Sequence, residues 1–139
     1  MDIRNKSELL VEESQIPTLK QLERTISQKF FVLYRQKLGI TPKVVVCSIF
    51  QTYLIVVAEK LLSPLELTMQ QSGEIKFLEE IRRDVDRSLE SALGSLIEEI
   101  ARVKVVDLVC QVNIDSDRLI AVAILDKPPA VKQKRQVRK

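Results

Sequence analysis

In Leu54-Ile55-Val56-Val57-Ala58-Glu59-Lys60-Leu61-Leu62-Ser63-Pro64-Leu65-Glu66, five consecutive apolar residues lead within a few positions into a Ser-Pro-x-Glu sequence. A strand that is apolar on both faces is central in its sheet or covered on its far side. Ser63 can cap a helix, Pro64 suits its first position because it has no amide hydrogen to leave unpaired, and Glu66 can return a hydrogen bond to the cap. The stretch predicts a buried strand over Tyr53–Glu59 and a helix from Ser63 onward.

Upstream, Lys43–Gln51 is a second β-rich run, parted from Tyr53 by almost nothing, Gln51-Thr52, which predicts a tight hairpin. Before it, Leu19, Leu22, Ile26, Phe30, Leu33 and Leu38 recur at helical spacing from Pro17; Gly39 can cap that helix and Pro42 prevents its resumption. Downstream, the helix begun at Ser63 falters at Gln71-Ser72-Gly73 and restarts at Glu74. From there Leu78, Ile81, Val85, Leu89, Ala92 or Leu93, Leu96 and Ile100 make one stripe, with Arg82, Arg83, Asp84, Asp86 and Glu90 largely off it. That helix runs to about Ala101 and is about 42 Å long. Val103–Gln111 and Arg118–Leu125 read as two more strands, joined by Asn113-Ile114-Asp115-Ser116-Asp117.

The predicted class is α+β: helix, β-hairpin, long helix, β-hairpin, with two main helices on one face of a four-stranded, mainly antiparallel sheet. Three segments follow: a polar N-terminal segment over 1–16, helical at Ser7–Ser14 or mobile; one domain over 17–126; and a basic disordered tail over 127–139, with Pro128-Pro129 marking where the domain stops. Four strands make a sheet under about 20 Å wide. The long helix then overhangs it, and its apolar stripe predicts a homodimer.

Composition narrows the function. The chain has 139 residues, 45% hydrophobic and 29% charged, ordinary for one globular domain. Aromatics are 4% with no tryptophan, which argues against stacking platforms for bases. With no histidine, Ser63 has no ready activating base, and neither a catalytic constellation nor a cofactor motif is present; the expectation is a protein that is not an enzyme and needs no cofactor or metal. No apolar run approaches the roughly 20 residues that span a bilayer. Without a signal sequence either, residence in the cytoplasm is expected, peripheral to the inner membrane face. Cys47 and Cys110 lie in apolar runs and read as reduced core thiols rather than a redox-sensing pair.

Charge is uneven. The net charge is +3, but Lys127, Lys132, Lys134, Arg135, Arg138 and Lys139 follow Asp126 with no acid among them; removing these six from the 22 basic residues leaves 16 against 19 acidic ones. The tail is thus a candidate docking element for a membrane transporter subunit or an anionic membrane surface, and less readily for nucleic acid. Arg82 and Arg83 are candidate anion ligands, since a guanidinium presents a planar fork of donors; the plainer alternative is a solvated face with ion pairs from Glu79 or Glu80 to Arg83. Asp115 and Asp117 fall short of a calcium ligand set and read as turn residues. Asp107 and Lys104 read as an outward polar pair on the third strand.

With these segments in place, the chain resembles a bacterial family of small domains, the MpsC-type accessory component of a sodium-translocating, membrane-potential-generating system. Leu62-Ser63-Pro64-Leu65-Glu66 resembles the family's Leu-Thr-Pro-x-Glu, and Gly39-Ile40-Thr41-Pro42 stands where members carry a Gly-x-Gly-Pro turn. Arg82-Arg83 falls in the expected helix, and Val103-Lys104-Val105-Val106-Asp107 resembles the Val-x-Val-x-Asp opening of the third strand. Thr41 replaces the second turn glycine, Arg102 stands in place of a glycine before the third strand, and Gln111 stands where aspartate is common. The resemblance spans about residues 30–126 and implies an accessory or regulatory role beside a membrane ion or inorganic-carbon transport system, with no catalytic residue to carry over. Nucleic-acid association through the tail and sensing of a small anion are the alternatives.

Overall fold

Residues 16–132 are described by the computed structural model of the protein. The segment read over 1–16 lies outside them except for Ile16, as do the tail residues Lys134, Arg135, Arg138 and Lys139. The elements are α1 (Leu19–Leu38), β1 (Val44–Phe50), β2 (Tyr53–Glu59), α2 (Pro64–Gln71), α3 (Ile75–Ala101), β3 (Val105–Asn113) and β4 (Arg118–Leu125).

Local chemistry sets the boundaries. Thr18 and Gln21 form a reciprocal capping box before α1, and Gly39 ends that helix in the left-handed region at φ 69°. Ser63 and Glu66 form the predicted box at the start of α2, with Pro64 in its first turn. The β1–β2 hairpin closes through Gln51-Thr52, with Gln51 at φ 55°. Arg102 ends α3 at φ 57°, a backbone conformation that favours glycine, at the position where the resemblance expects one.

All strand pairs are antiparallel, in the order β1-β2-β4-β3, so β2 is central, as its two apolar faces require. Helices α1 and α3 cover one face of the sheet, over β1 and β3 respectively, and touch each other. The covered face carries Cys47, Ile49, Leu54, Val56, Ala58, Cys110, Val112, Leu119, Ala121 and Ala123 against Leu22, Ile26, Phe30, Leu89, Leu93 and Ile97 of the helices. Small residues, Ala58, Ala121 and Ala123, stand on the covered face of the two central strands. The bulk of those strands points the other way, as Ile55, Ile120, Val122 and Ile124 on the opposite face, all exposed.

Four details differ from the sequence reading. Ile81 faces out while Arg82 is buried at 3% exposure, so the apolar stripe of α3 runs through Leu78, Arg82, Leu89, Leu93 and Ile97. The N-terminal part of α3 does not overhang bare: Leu78 packs with Leu62, Met69 and Ile114 in a second small core under α2. Strand β3 starts at Val105, and a bulge between Val105 and Asp107 turns Val106 out to solvent. The chain also stays on the domain past Pro128-Pro129. Pro129 is buried, Val131 packs on the main core, and the Lys132 amide donates to the Pro17 carbonyl at 2.8 Å.

Candidate functional site

The β2–α2 junction, Glu59 to Glu66, is held from three sides. The Asp117 side chain, only 7% exposed, accepts the amides of Leu61 and Leu62 at 2.8 and 2.9 Å, and its own carbonyl accepts the Lys60 amide at 3.0 Å. The Tyr34 hydroxyl of α1 donates to the Leu61 carbonyl at 2.8 Å. Glu66 divides its carboxylate: Oε1 accepts the Ser63 amide at 3.0 Å, and Oε2 lies 3.4 Å from Arg82 Nη1 on α3.

Arg82 completes the network. Its Nη1 also donates to the Tyr34 hydroxyl at 3.3 Å, and its Nη2 lies 3.2 Å from Asp86 Oδ1, one helical turn on. One buried cation therefore faces two carboxylates. Burial and those charges separate the titrations. Asp86 is held above its ordinary value of 3.8, because desolvation raises it more than the Arg82 charge lowers it. Tyr34 is pushed up to about 12, again chiefly by burial. Arg82 Nε, Arg82 Nη2 and Asp86 Oδ1 are buried without a hydrogen-bond partner among the described residues, so the ion pair is held by charge more than by aligned hydrogen bonds.

Above this network lies a groove of about 670 Å³ that wraps the β3 edge, lined by Glu79, Arg82, Arg83 and Asp86 of α3 and by Gln111 and Asn113 of β3. The structure brings both predicted anion ligands to this groove but in different settings. Arg82 is buried and paired with two carboxylates. Arg83 is exposed, and no carboxylate among the described residues lies within 4.0 Å of its guanidinium, so the ion pairs expected from Glu79 or Glu80 do not form. Gln111, where the resemblance expects aspartate, is exposed on the same groove.

The other candidates fall elsewhere. Asp117 is turned inward onto backbone amides and Asp115 is exposed. Asp107 faces out, and its carboxylate accepts the amide of Leu108 rather than pairing with Lys104. Cys47 and Cys110 are free and buried, on the two opposite edge strands; desolvation pushes each thiol up to about 12, far from a reactive thiolate. Of the tail residues, Lys127 and Lys132 are described, and both are exposed.

Sequence reasoning missed the inward turn of Arg82, the part played by Tyr34 and Asp86, and the exposed apolar face of the sheet. The last had a signal: Ile120–Ile124 alternates large and small apolar residues, with the β-branched ones at Ile120, Val122 and Ile124.

No helix among the described residues is long and apolar enough to cross a membrane. No curated protein and no solved structure matches the chain. One family does, over residues 18–127, from the cap of α1 to just past the last strand. On that match, which takes in every helix and strand set out above, the chain belongs to the family described as Na+-translocating membrane potential-generating system (MpsC).

Proposed function

We propose that the protein is a non-enzymatic accessory or regulatory component of a Na+-translocating, membrane-potential-generating system, acting by binding rather than by turnover. The observation that carries this reading is the family match over residues 18–127, which takes in every helix and strand set out above. The distribution of chemistry supports it. The buried ionisable side chains Arg82 and Asp117 are occupied in holding the β2–α2 junction, whereas the outer face of the sheet and, of the basic residues after Asp126, Lys127 and Lys132 are exposed. In this reading the protein sits at the cytoplasmic face, and its tail engages a membrane subunit or anionic headgroups, each basic residue near such a surface adding about 1 kcal/mol.

The test is affinity purification of the tagged full-length protein from solubilised membranes of its native host, beside a variant with Lys134→Gln, Arg135→Gln, Arg138→Gln and Lys139→Gln. The expected result is recovery of integral ion-transport subunits by the unaltered protein, and weaker recovery by the variant if the tail makes the contact. Recovery of soluble or nucleic-acid-associated proteins alone would overturn the reading.

A further inference from the structure

We infer that the outer face of the sheet is a two-fold interface on which a second copy of this chain packs, giving a helix–sheet–sheet–helix assembly. Antiparallel sheets covered on one side normally turn polar residues to water on the other. Here the uncovered face presents Phe50, Tyr53, Ile55, Val109, Ile120 and Val122, which are between 37% and 69% exposed. The register sets them side by side: Phe50 lies opposite Tyr53, Ile55 opposite Val122, and Val122 opposite Val109, a strip crossing all four strands.

With the apolar residues flanking it, this strip exposes on the order of 700 Å² of apolar surface. An ordinary monomer leaves a largest patch of about 300–600 Å², whereas each partner in a stable complex contributes about 800 Å². The distribution of charge selects a second copy as the occupant. A two-fold axis brings like regions together, so a net charge in the middle of the face would repel itself. The middle of this face carries none. At one end Arg118 and Glu59 neutralise each other at 3.0 Å, and Asp107 lies at the other end, on the edge strand. Face-to-face packing is favoured over joining at sheet edges because three of the edge amides already have side-chain acceptors. Glu23 accepts the Ile49 amide on β1, while Glu98 and Asp107 accept those of Val105 and Leu108 on β3.

The inference stands apart from the proposed function and is tested on the full-length protein by sedimentation velocity over roughly 1–200 μM, where mass action drives a dimer together. A concentration-dependent dimer is expected. Ile55→Lys and Val122→Lys should each raise its dissociation constant by about 100-fold or more, as buried central positions do. Phe77→Ser, which alters a comparably exposed side chain on α3, should leave it unchanged. Far-UV circular dichroism checks folding, and the milder Phe50→Ser serves if a lysine variant unfolds. A monomer at every concentration would overturn the inference, as would a dimer that resists the lysine variants. A monomer that dimerises only after removal of residues 1–15 would assign the face to the chain's own N-terminal segment, and one whose Ile55→Lys variant loses a membrane subunit would assign it to that partner. Either result also overturns it.

Discussion

Arg82 is invisible as a buried residue in the sequence because arginine is seldom buried unless paired, and its partners arrive from other elements. The stripe on α3 can be counted through Ile81 as readily as through Arg82; only Tyr34 of α1 and Glu66 of α2 decide it, and neither is a helical neighbour of Arg82. Breaking a buried ion pair costs more than making it gains, since the surviving charges stay desolvated. Arg82→Leu should therefore lower stability by about 3 kcal/mol at neutral pH. The pH dependence follows from Asp86, whose native titration lies above its ordinary value. Between the ordinary and the raised value the native state binds a proton there that the unfolded chain has released. Its stabilising contribution is thus present below the ordinary value and is lost as pH rises through the raised one. Removing Arg82 takes away the charge that lowers Asp86 and widens that window, so the deficit of the variant should shrink between pH 7.5 and pH 5 in urea unfolding. An equal deficit at both values would mean that Asp86 does not hold Arg82 electrostatically.

Elements were legible wherever a local signal was complete. Gly39, Ser63-Pro64-Leu65-Glu66 and the Gln51-Thr52 turn each satisfy backbone groups within a few residues, so their identity is enough to place a boundary. Signals that depend on distant partners were not. Asp117 has the composition of a turn residue and sits in the β3–β4 turn at φ 52°, yet its carboxylate serves two amides more than 50 residues earlier in the chain. It ties the end of one hairpin to the start of α2. Asp117→Ala should cost about 3 kcal/mol, from two buried amides left without an acceptor and a left-handed backbone that alanine tolerates poorly. Asp117→Asn keeps an acceptor oxygen and the backbone preference and should cost about half as much. Chemical denaturation of the two variants decides the matter; equal losses would mean that the side-chain oxygen is not what joins the two turns.

At the scale of the whole molecule, the sequence conveyed layers and the central place of β2 better than it conveyed limits. The alternation of large and small apolar residues on β4 serves two faces at once, with alanine toward the helices and isoleucine or valine away from them, so hydropathy alone marks the strand as buried while half of it stays exposed. The end of the domain was misplaced for a related reason. Pro128-Pro129 reads as a stop because proline cannot extend a strand ladder, but Pro129 and Val131 are packed by shape against the body and Lys132 pairs with the segment before α1. Burial of two such apolar side chains is worth about 2–3 kcal/mol. A chain ending at Asp126 should therefore melt about 8 °C or more below one ending at Lys132, read by differential scanning calorimetry. Coincident melting would show that residues 127–132 add nothing to the fold. The outcome bears on function as well. If the shorter chain is the less stable one, any partner it fails to recover could have been lost through the fold rather than through the missing charges, and only substitutions beyond Lys132 isolate what the basic residues bind.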